Sequence, residues 1–400
     1  MTLIHGEDIV IVGLQPWDTE IGSNCKNIAL EFSKNNRVLY VNSPLDRSTT
    51  IRKRNDPGVK VRLNKLREND ASIEIVSENL WVYYPGVILE SINWIKIDFL
   101  FDLLNRRNNR IFADSIMKAV KQLDFGDFIL FNDNDIFRSF YLKELLNPKV
   151  SVYYSRDYLL GVDYWKYHGK RLEPILMAKS DICVANSSHL AKICSKYNSR
   201  SYDIGQGCEL DLFFASEFLP TPADMITIAH PVIGYVGALD SLRLDLELLV
   251  NLALQKPEWS IVLMGPEDFN FTKSKLHDLP NVHFLGSKHP SLLPQYINAC
   301  DVCINPQSVN DVTIGNYPRK VDEYLAAGKP VVAILTDTML MFSNYVYLAK
   351  SSDLFVELIS KALIEDNNEL ALLRKQFASS HTWENSVGKI YSAIITNLYA

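Results

Sequence analysis

Short apolar, β-branched runs of strand length recur through the first half of the chain at residues 8–12, 37–41, 80–84, 128–131, 150–154 and 181–185, and stretches of helical periodicity fill most of the gaps. Runs that are apolar at successive positions, rather than alternate ones, predict strands buried on both faces. Strands of that kind separated by helices predict a parallel sheet covered on each side. Near Phe214 the pattern gives way to FASEFLPTPADMITIAHP, where prolines and polar residues interrupt both periods. Such a break marks a domain boundary. A second series follows at 231–236, 259–264, 282–285, 302–304, 330–335 and 346–349, again with helices between. The expected architecture is α/β: two Rossmann-like domains, 1–215 and 216–380, facing across a cleft. A tail helix at 381–400, the last part of a helical stretch that begins near Leu354, is expected to cross back onto the first domain. No repeat of about 20 to 50 residues is present, which excludes solenoids and propellers.

A chain of 400 residues with 47% hydrophobic content has enough apolar side chains for two cores. The net charge of -6 is unevenly spread: residues 1–215 carry 28 Lys+Arg against 27 Asp+Glu, and 216–400 carry 13 against 20. Neither half has the positive field that non-specific nucleic-acid binding requires. Locally, 47–67 (RSTTIRKRNDPGVKVRLNKLR) holds eight basic residues and one acid, Asp56. It reads either as a solvated, mobile loop or as a patch attracted to anionic lipid headgroups or a phosphate-bearing acceptor. Asn93 to Arg110 carries an apolar stripe, Trp94, Ile97, Leu100, Phe101 and Leu104, at helical spacing. It reads as a core helix, with membrane-surface contact as the alternative.

The opening MTLIHGEDIVIVG runs into the first strand without the basic start, apolar core and cleavage site of a secretion signal. No segment supplies the roughly 20 apolar residues of a membrane-spanning helix. The expected location is cytoplasmic, either free or at the inner face of the cell membrane. The six cysteines, Cys25, Cys183, Cys194, Cys208, Cys300 and Cys303, then read as reduced core thiols. Cys300 and Cys303 form a lone CxxC with no second pair, so packing is favoured over zinc or redox chemistry.

The richest stretch for chemistry is 316–335, NYPRKVDEYLAAGKPVVAIL. Asn316 is a candidate cap, Pro318 suits a first helical turn, Gly328 suits a left-handed terminus, and Pro330 prevents continuation. Lys320 and Glu323, three apart, share a face of this short helix. A helix N-terminus with a lysine beside it suits a diphosphate, and a carboxylate can accept hydrogen bonds from a ribose diol. The bland alternative is an ordinary first-turn Glu and a surface Lys.

This run, with GYVGALDSLRLDLELL, SIVLMGP and NVHFLGSKHPSLLPQYINACDVCINP, resembles the donor-binding half of GT-B fold retaining glycosyltransferases of the bacterial surface-polysaccharide type, the group 1 or family 4-like enzymes. The first half is similar to the same group through IVIVGLQPWDTEIGSNCKNIAL, SVYYSRDY and DICVANSSHLAK. The resemblance implies that Glu323 binds the ribose, Lys320 the diphosphate, and that the loops after Gly237 and Gly265 line the nucleotide pocket. It implies transfer from a nucleoside diphosphate sugar to a glycan or lipid-linked glycan, with retention, with no metal and no cofactor beyond the donor itself. Two departures stand out. Many members have a second Glu earlier in the motif, with seven residues between the two; here that position is Gly315, with Asp311 nearby. Many have Arg after the first strand's glycine and Lys soon after; here these are Ala238 and Arg243, which leaves Arg243 as the phosphate contact.

In the first half, Gly22 permits close approach of a ligand and Ser23 or Asn24 can cap the following helix, as a donor contact or as a plain turn. The absence of GxGxxG disfavours a dehydrogenase. Asp157 follows a strand, at the edge where open α/β sheets bind ligands; it is the candidate catalytic or acceptor-side carboxylate beside Lys320 and Glu323. Arg156 and His168 are weaker candidates, and His168 in KYHGKRLE reads equally as a solvated helix residue. Asp133-Asn134-Asp135 imitates an Asp-x-Asp metal motif, but carboxylates that cap the next helix account for it better. Two rival functions remain: a non-catalytic sugar-nucleotide-binding scaffold of the same fold, and a sugar-nucleotide epimerase.

Overall fold

The six apolar runs of the first half become strands of one sheet in the computed structural model, which describes residues 3–18, 23–67, 72–216 and 219–398. These are β1 (Asp8–Gly13), β2 (Arg37–Asn42), β5 (Leu80–Tyr83), β7 (Phe128–Asp133), β8 (Val150–Ser155) and β9 (Ile182–Ala185), all parallel. Two edge strands complete the sheet: β4 (Ile73–Ser77), antiparallel, and β10 (Ser201–Asp203), giving the order β10-β9-β8-β7-β1-β2-β5-β4. A separate parallel pair joins β3 (Leu45–Asp46) to β6 (Ile88–Leu89). Side chains of β1 alternate between two cores. Ile9 and Ile11 pack with Phe32 of helix Asn24–Ser33, and Val10 and Val12 pack with Phe112 and Ile116 of helix Asp98–Gln122.

The second half holds β11 (Val232–Val236), β12 (Ser260–Met264), β13 (Val282–Phe284), β14 (Val302–Asn305), β15 (Val331–Ile334) and β16 (Tyr347–Ala349) in the order β13-β12-β11-β14-β15-β16, every pair parallel. Two compact units result, Met1–Gly205 with Trp383–Ala400, and Gln206–Thr382. The division falls earlier than residue 215 because Cys208 N bonds His381 O at 2.9 Å and Leu210 and Phe213 are buried in the second unit's core. The helical tail is three helices, Ser352–Glu365, Asn368–Ala378 and Trp383–Leu398. The last belongs to the first unit, where Val387, Ile390 and Ile394 join its core and Tyr391 OH accepts from Asn36 Nδ2 at 2.8 Å.

Three expectations change. The basic stretch 47–67 is not a loop but two helices, Arg47–Arg52 and Pro57–Arg67. Asp46 and Asp56 each accept from a first-turn amide, Thr49 N at 3.0 Å and Val59 N at 3.1 Å, so these acids start helices; Arg47, Arg52 and Lys60 face solvent, whereas Arg62 and Lys65 are mostly covered and pair with Asp18 and Glu74. The stripe at 94–104 is not a core helix. The helix begins at Asp98, Phe101 alone is fully buried, and Trp94, Ile97 and Leu100 are exposed. His168 is not solvated: it is buried, stacked on Phe101 at 3.6 Å, with Nε2 2.7 Å from Ile95 O, and burial lowers its pKa. All six cysteines are buried and free, Cys300 and Cys303 within the second core.

One core group makes stability depend on pH. Tyr153 OH donates to the buried Glu173 at 2.8 Å, and burial pushes the Glu173 carboxyl from 4.5 to about 7. Between those values the unfolded chain releases a proton that the folded chain keeps, so stability falls as pH rises through this window. The loss is expected to be on the order of 3 kcal/mol at most. Urea titrations at pH 5 and pH 7.5 should show the loss in wild type and little of it in Glu173→Gln; an equal pH dependence in both would exclude Glu173 as its source.

Candidate functional site

The carboxyl ends of β11 and β12 turn into two loops that pair with each other. Gly237 N donates to Met264 O at 2.8 Å, and Leu239 N to Pro266 O at 2.8 Å. Gly265 sits at φ +154°, and a Cβ there would lie 1.9 Å from Gly237 O, so only glycine allows this approach. Beside them runs helix Arg319–Ala326. Its Tyr324 hydroxyl accepts from Val236 N at 2.9 Å, which fixes the helix against the end of β11. Gly328, at φ +76°, ends the helix, with Lys329 N bonded to Tyr324 O at 3.0 Å.

Asn316 is not the cap. The cap position is Pro318, no side chain bonds the first-turn amides, and Asn316 instead donates its backbone N–H to Thr313 O at 3.0 Å. An uncapped N-terminus keeps its positive dipole end available to an anion. Lys320 reaches from it to the loops: Nζ donates to Tyr235 OH at 2.5 Å, lies 4.4 Å from the Tyr235 ring centre, and would be 2.9 Å from a Cβ on Gly237. Arg319, which the sequence reading passed over although it adjoins Lys320, is half-buried, and its Nε has no hydrogen-bond partner among the described residues. Glu323 is half-buried, and no donor among the described residues reaches its carboxylate. Burial raises its pKa, with Arg319 and Lys320 opposing the rise. Lys320 thus stands at the paired Gly237 and Gly265 turns, and its helix bears two cations, Arg319 and Lys320, and one unused carboxylate, Glu323.

Asp322, on the opposite side of that helix, is fully buried and bonded to His381 Nδ1 at 2.6 Å and to Cys208 Sγ at 3.3 Å, which anchors the helix from beneath. Arg243 lies on the loop after β11. Its side chain is exposed, with Nε 3.7 Å from Asp240, and its backbone O accepts from Ser308 N at 2.9 Å, which ties that loop to the one after β14. In the latter loop Gln307 Nε2 bonds Thr313 O at 2.8 Å, Gly315 is buried and Asp311 is exposed.

In the first unit, Gly22 lies outside the described residues. Ser23 caps helix Asn24–Ser33, its Oγ accepting from Lys26 N at 3.4 Å, and is itself buried. Asp157 follows β8, as expected of a carboxyl-edge residue. Arg156 bridges it to Asp133 at the end of β7, both contacts at 2.7 Å. Asp133 is fully buried; burial raises its pKa, and the Arg156 guanidinium opposes the rise. Asp157 is 43% exposed and so is the accessible carboxylate of the trio. The Asp-x-Asp motif is divided. Asp133 turns to Arg156, whereas Asp135 accepts from the amides of Phe137 and Arg138 at 3.1 and 3.0 Å and begins the next turn.

Paired glycine turns, a cationic helix start and a spare carboxylate thus lie at the carboxyl edge of a parallel sheet, the edge where open α/β sheets take their ligands. Residues 230–365, most of the second unit, match the model of the glycosyl transferases group 1 family. Over 225 residues the chain is 29% identical to a Bacillus subtilis protein named as a teichuronic acid biosynthesis glycosyltransferase, TuaH; the match covers 54% of this chain and 56% of that protein, about half the length of each. Among solved structures, Anabaena HepE in complex with UDP superposes with a TM-score of 0.65 at 15% identity, covering 98% of this chain and all of that one. Sucrose-phosphate synthase from Thermosynechococcus elongatus gives 0.66 at 14% identity, covering 98% and 99%. These likenesses establish the fold class, two Rossmann-like domains of the GT-B type. Among the described residues no helix is long and apolar enough to cross a membrane.

Proposed function

We propose that this chain is a glycosyltransferase that moves a sugar from a nucleoside diphosphate sugar to a glycan or lipid-linked glycan acceptor, with retention and without metal, in surface polysaccharide biosynthesis. The observation that carries the reading is Lys320 reaching to the paired Gly237 and Gly265 turns from a helix that also bears Arg319 and Glu323, within the family-matched domain. Glu323 accepts the ribose hydroxyls, and Lys320 and Arg319, with the helix N-terminus and Arg243, neutralise the diphosphate. UDP is the first nucleotide to try, because HepE has been solved with UDP and with UDP-glucose. The name of TuaH supports a cell-surface polymer as the product's destination. The reading places the protein in the cytoplasm, with the basic helices of 47–67 holding it against an anionic inner membrane face.

In the reaction the acceptor oxygen forms a bond to the anomeric carbon as the bond from that carbon to the diphosphate oxygen breaks. The acceptor proton passes to the leaving phosphate on the same face, so no separate base is needed. The cations stabilise charge that develops only as the diphosphate leaves, the form of stabilisation that speeds the step. The test is incubation with a panel of nucleoside diphosphate sugars, with and without an acceptor glycan mixture. Acceptor-dependent release of nucleoside diphosphate supports transfer. Donor binding without release would indicate the scaffold, and conversion of the donor sugar with no acceptor would indicate an epimerase.

Because burial raises the Glu323 pKa, protonation turns one of its two acceptor oxygens into a donor, and removes the charge, at a higher pH than for an ordinary carboxylate. Donor affinity in wild type is therefore expected to fall as pH drops through that raised value. Glu323→Gln should bind the donor more weakly at neutral pH and lack this acid limb. A pH profile unchanged by the substitution would remove Glu323 from the ribose site.

A further inference from the structure

The first unit holds an open groove of about 660 Å³ that the donor reading leaves unused. It lies beyond the carboxyl ends of β2 and β5, between residues 46–52, residues 89–94 and the start of helix Asp98–Gln122, with Phe137, Arg138 and Tyr164 closing one end. Its size is within the range of small-ligand sites.

Two polar atoms in its wall lack partners among the described residues. Asn105 is 2% exposed and its Nδ2 has no hydrogen-bond partner, while its Oδ1 and backbone O both accept from Asn109 Nδ2, at 3.2 and 2.8 Å. That bonding fixes the amide so that the NH₂ group is the free end. Asn93 presents the complement: Nδ2 donates to Tyr164 O at 2.6 Å and Oδ1 is buried without a partner. A buried donor and a buried acceptor left unpaired are costly, and a ligand hydroxyl, which both donates and accepts, satisfies either. Beside them stand two aromatic rings turned to solvent, Trp94 at 75% exposure and Tyr164 at 50%. The C–H faces of a sugar ring cover such rings while its hydroxyls reach the amides.

Charge narrows the class. Arg52 and Arg138 are matched in the wall by Asp46 and Glu90. Asp46 is held by Ser91 Oγ at 2.5 Å and by Thr49, and Glu90 by Arg47 at 2.7 Å. Burial alone would raise the Asp46 pKa, but the Ser91 and Thr49 bonds and the Arg138 charge bring it below the usual range, so Asp46 stays ionised. An anionic phosphate would meet two carboxylates here, and a hydrocarbon chain would leave both amides unpaired. We infer that this groove binds the uncharged, hydroxyl-rich end of an oligosaccharide. The inference rests on the transferase reading only in calling that oligosaccharide the acceptor.

The experiment applies fluorescently labelled protein to a printed array of neutral, acidic and phosphorylated glycans, with UDP affinity measured in parallel. Wild type is expected to retain a set of neutral oligosaccharides, and Trp94→Ala and Asn105→Leu to lose at least tenfold of that signal with UDP affinity unchanged. Trp94 is exposed, so its removal leaves the core intact. Retention of the same glycans by both variants would overturn the proposal, as would a wild type that binds UDP and holds no neutral glycan or only phosphorylated ones. Neutral glycan binding without UDP binding would leave the groove standing and overturn the donor reading instead.

Discussion

Lys320→Ala is expected to weaken UDP binding by about tenfold to a hundredfold and to leave UMP binding nearly unchanged. A charge-assisted hydrogen bond contributes about 1.5–3 kcal/mol, and roughly 1.4 kcal/mol is tenfold in affinity. The selectivity follows from position. Lys320 Nζ lies between Tyr235 OH and the Gly237 turn, the place proposed for the diphosphate, whereas Glu323 stands one turn along, its carboxylate without a donor among the described residues. Glu323→Ala should therefore weaken UDP and UMP alike. Titration calorimetry with both nucleotides and both variants separates the roles. Equal losses of UDP and UMP in Lys320→Ala would move the lysine away from the diphosphate.

Arg156→Ala is expected to cost about 3–5 kcal/mol of stability, because it leaves a buried carboxylate without its partner. Asp133 would keep the 3.3 Å bond from Leu14 N and the weak Cys25 thiol, with no cation, in a fully buried position among the described residues. With the guanidinium gone, burial raises the Asp133 pKa further, so the destabilisation should grow as pH rises above the ordinary carboxylate range. Urea unfolding at pH 5 and pH 8 reads both effects. The double variant Arg156→Met with Asp133→Leu should recover most of the loss, since replacing both partners removes the unpaired charge. A single variant as stable as wild type at pH 8 would show that Asp133 finds another partner.

Each expected strand run corresponds to a strand because the signal it rested on, apolar side chains on both faces, is the same property that buries the run. Ile9 to Val12 lose all solvent exposure between two layers of helices. The strands that sequence reading missed lack that signal. In β4 only Ile73 is partly buried, and β10 is Ser-Tyr-Asp, an edge held by backbone pairing to β9. The stripe of Trp94, Ile97 and Leu100 had helical spacing but lies mostly before the helix starts at Asp98, so periodicity alone could not tell a core face from the wall of a groove.

Of the proposed donor cluster, the helix bearing Lys320 and Glu323 was legible from Pro318 and Gly328, and the Gly237 and Gly265 turns through the family resemblance. Arg319 and the Asn105–Asn93 pair were not. Nothing in sequence marks which polar atom ends without a partner, and the Asp322–His381 anchor joins residues 59 positions apart.

The measurement that tests the central claim most directly is the thermal stability of wild type, Lys320→Ala and Glu323→Ala in a panel of nucleoside diphosphates and their sugars. A ligand at 100 times its dissociation constant adds about 2.7 kcal/mol to stability. The account predicts that one nucleotide, with UDP first in line, stabilises wild type by this order at millimolar concentration and stabilises both variants far less. If no nucleotide shifts wild type, or if the shift survives in both variants, the site at Gly237, Gly265, Lys320 and Glu323 is not where a sugar nucleotide binds.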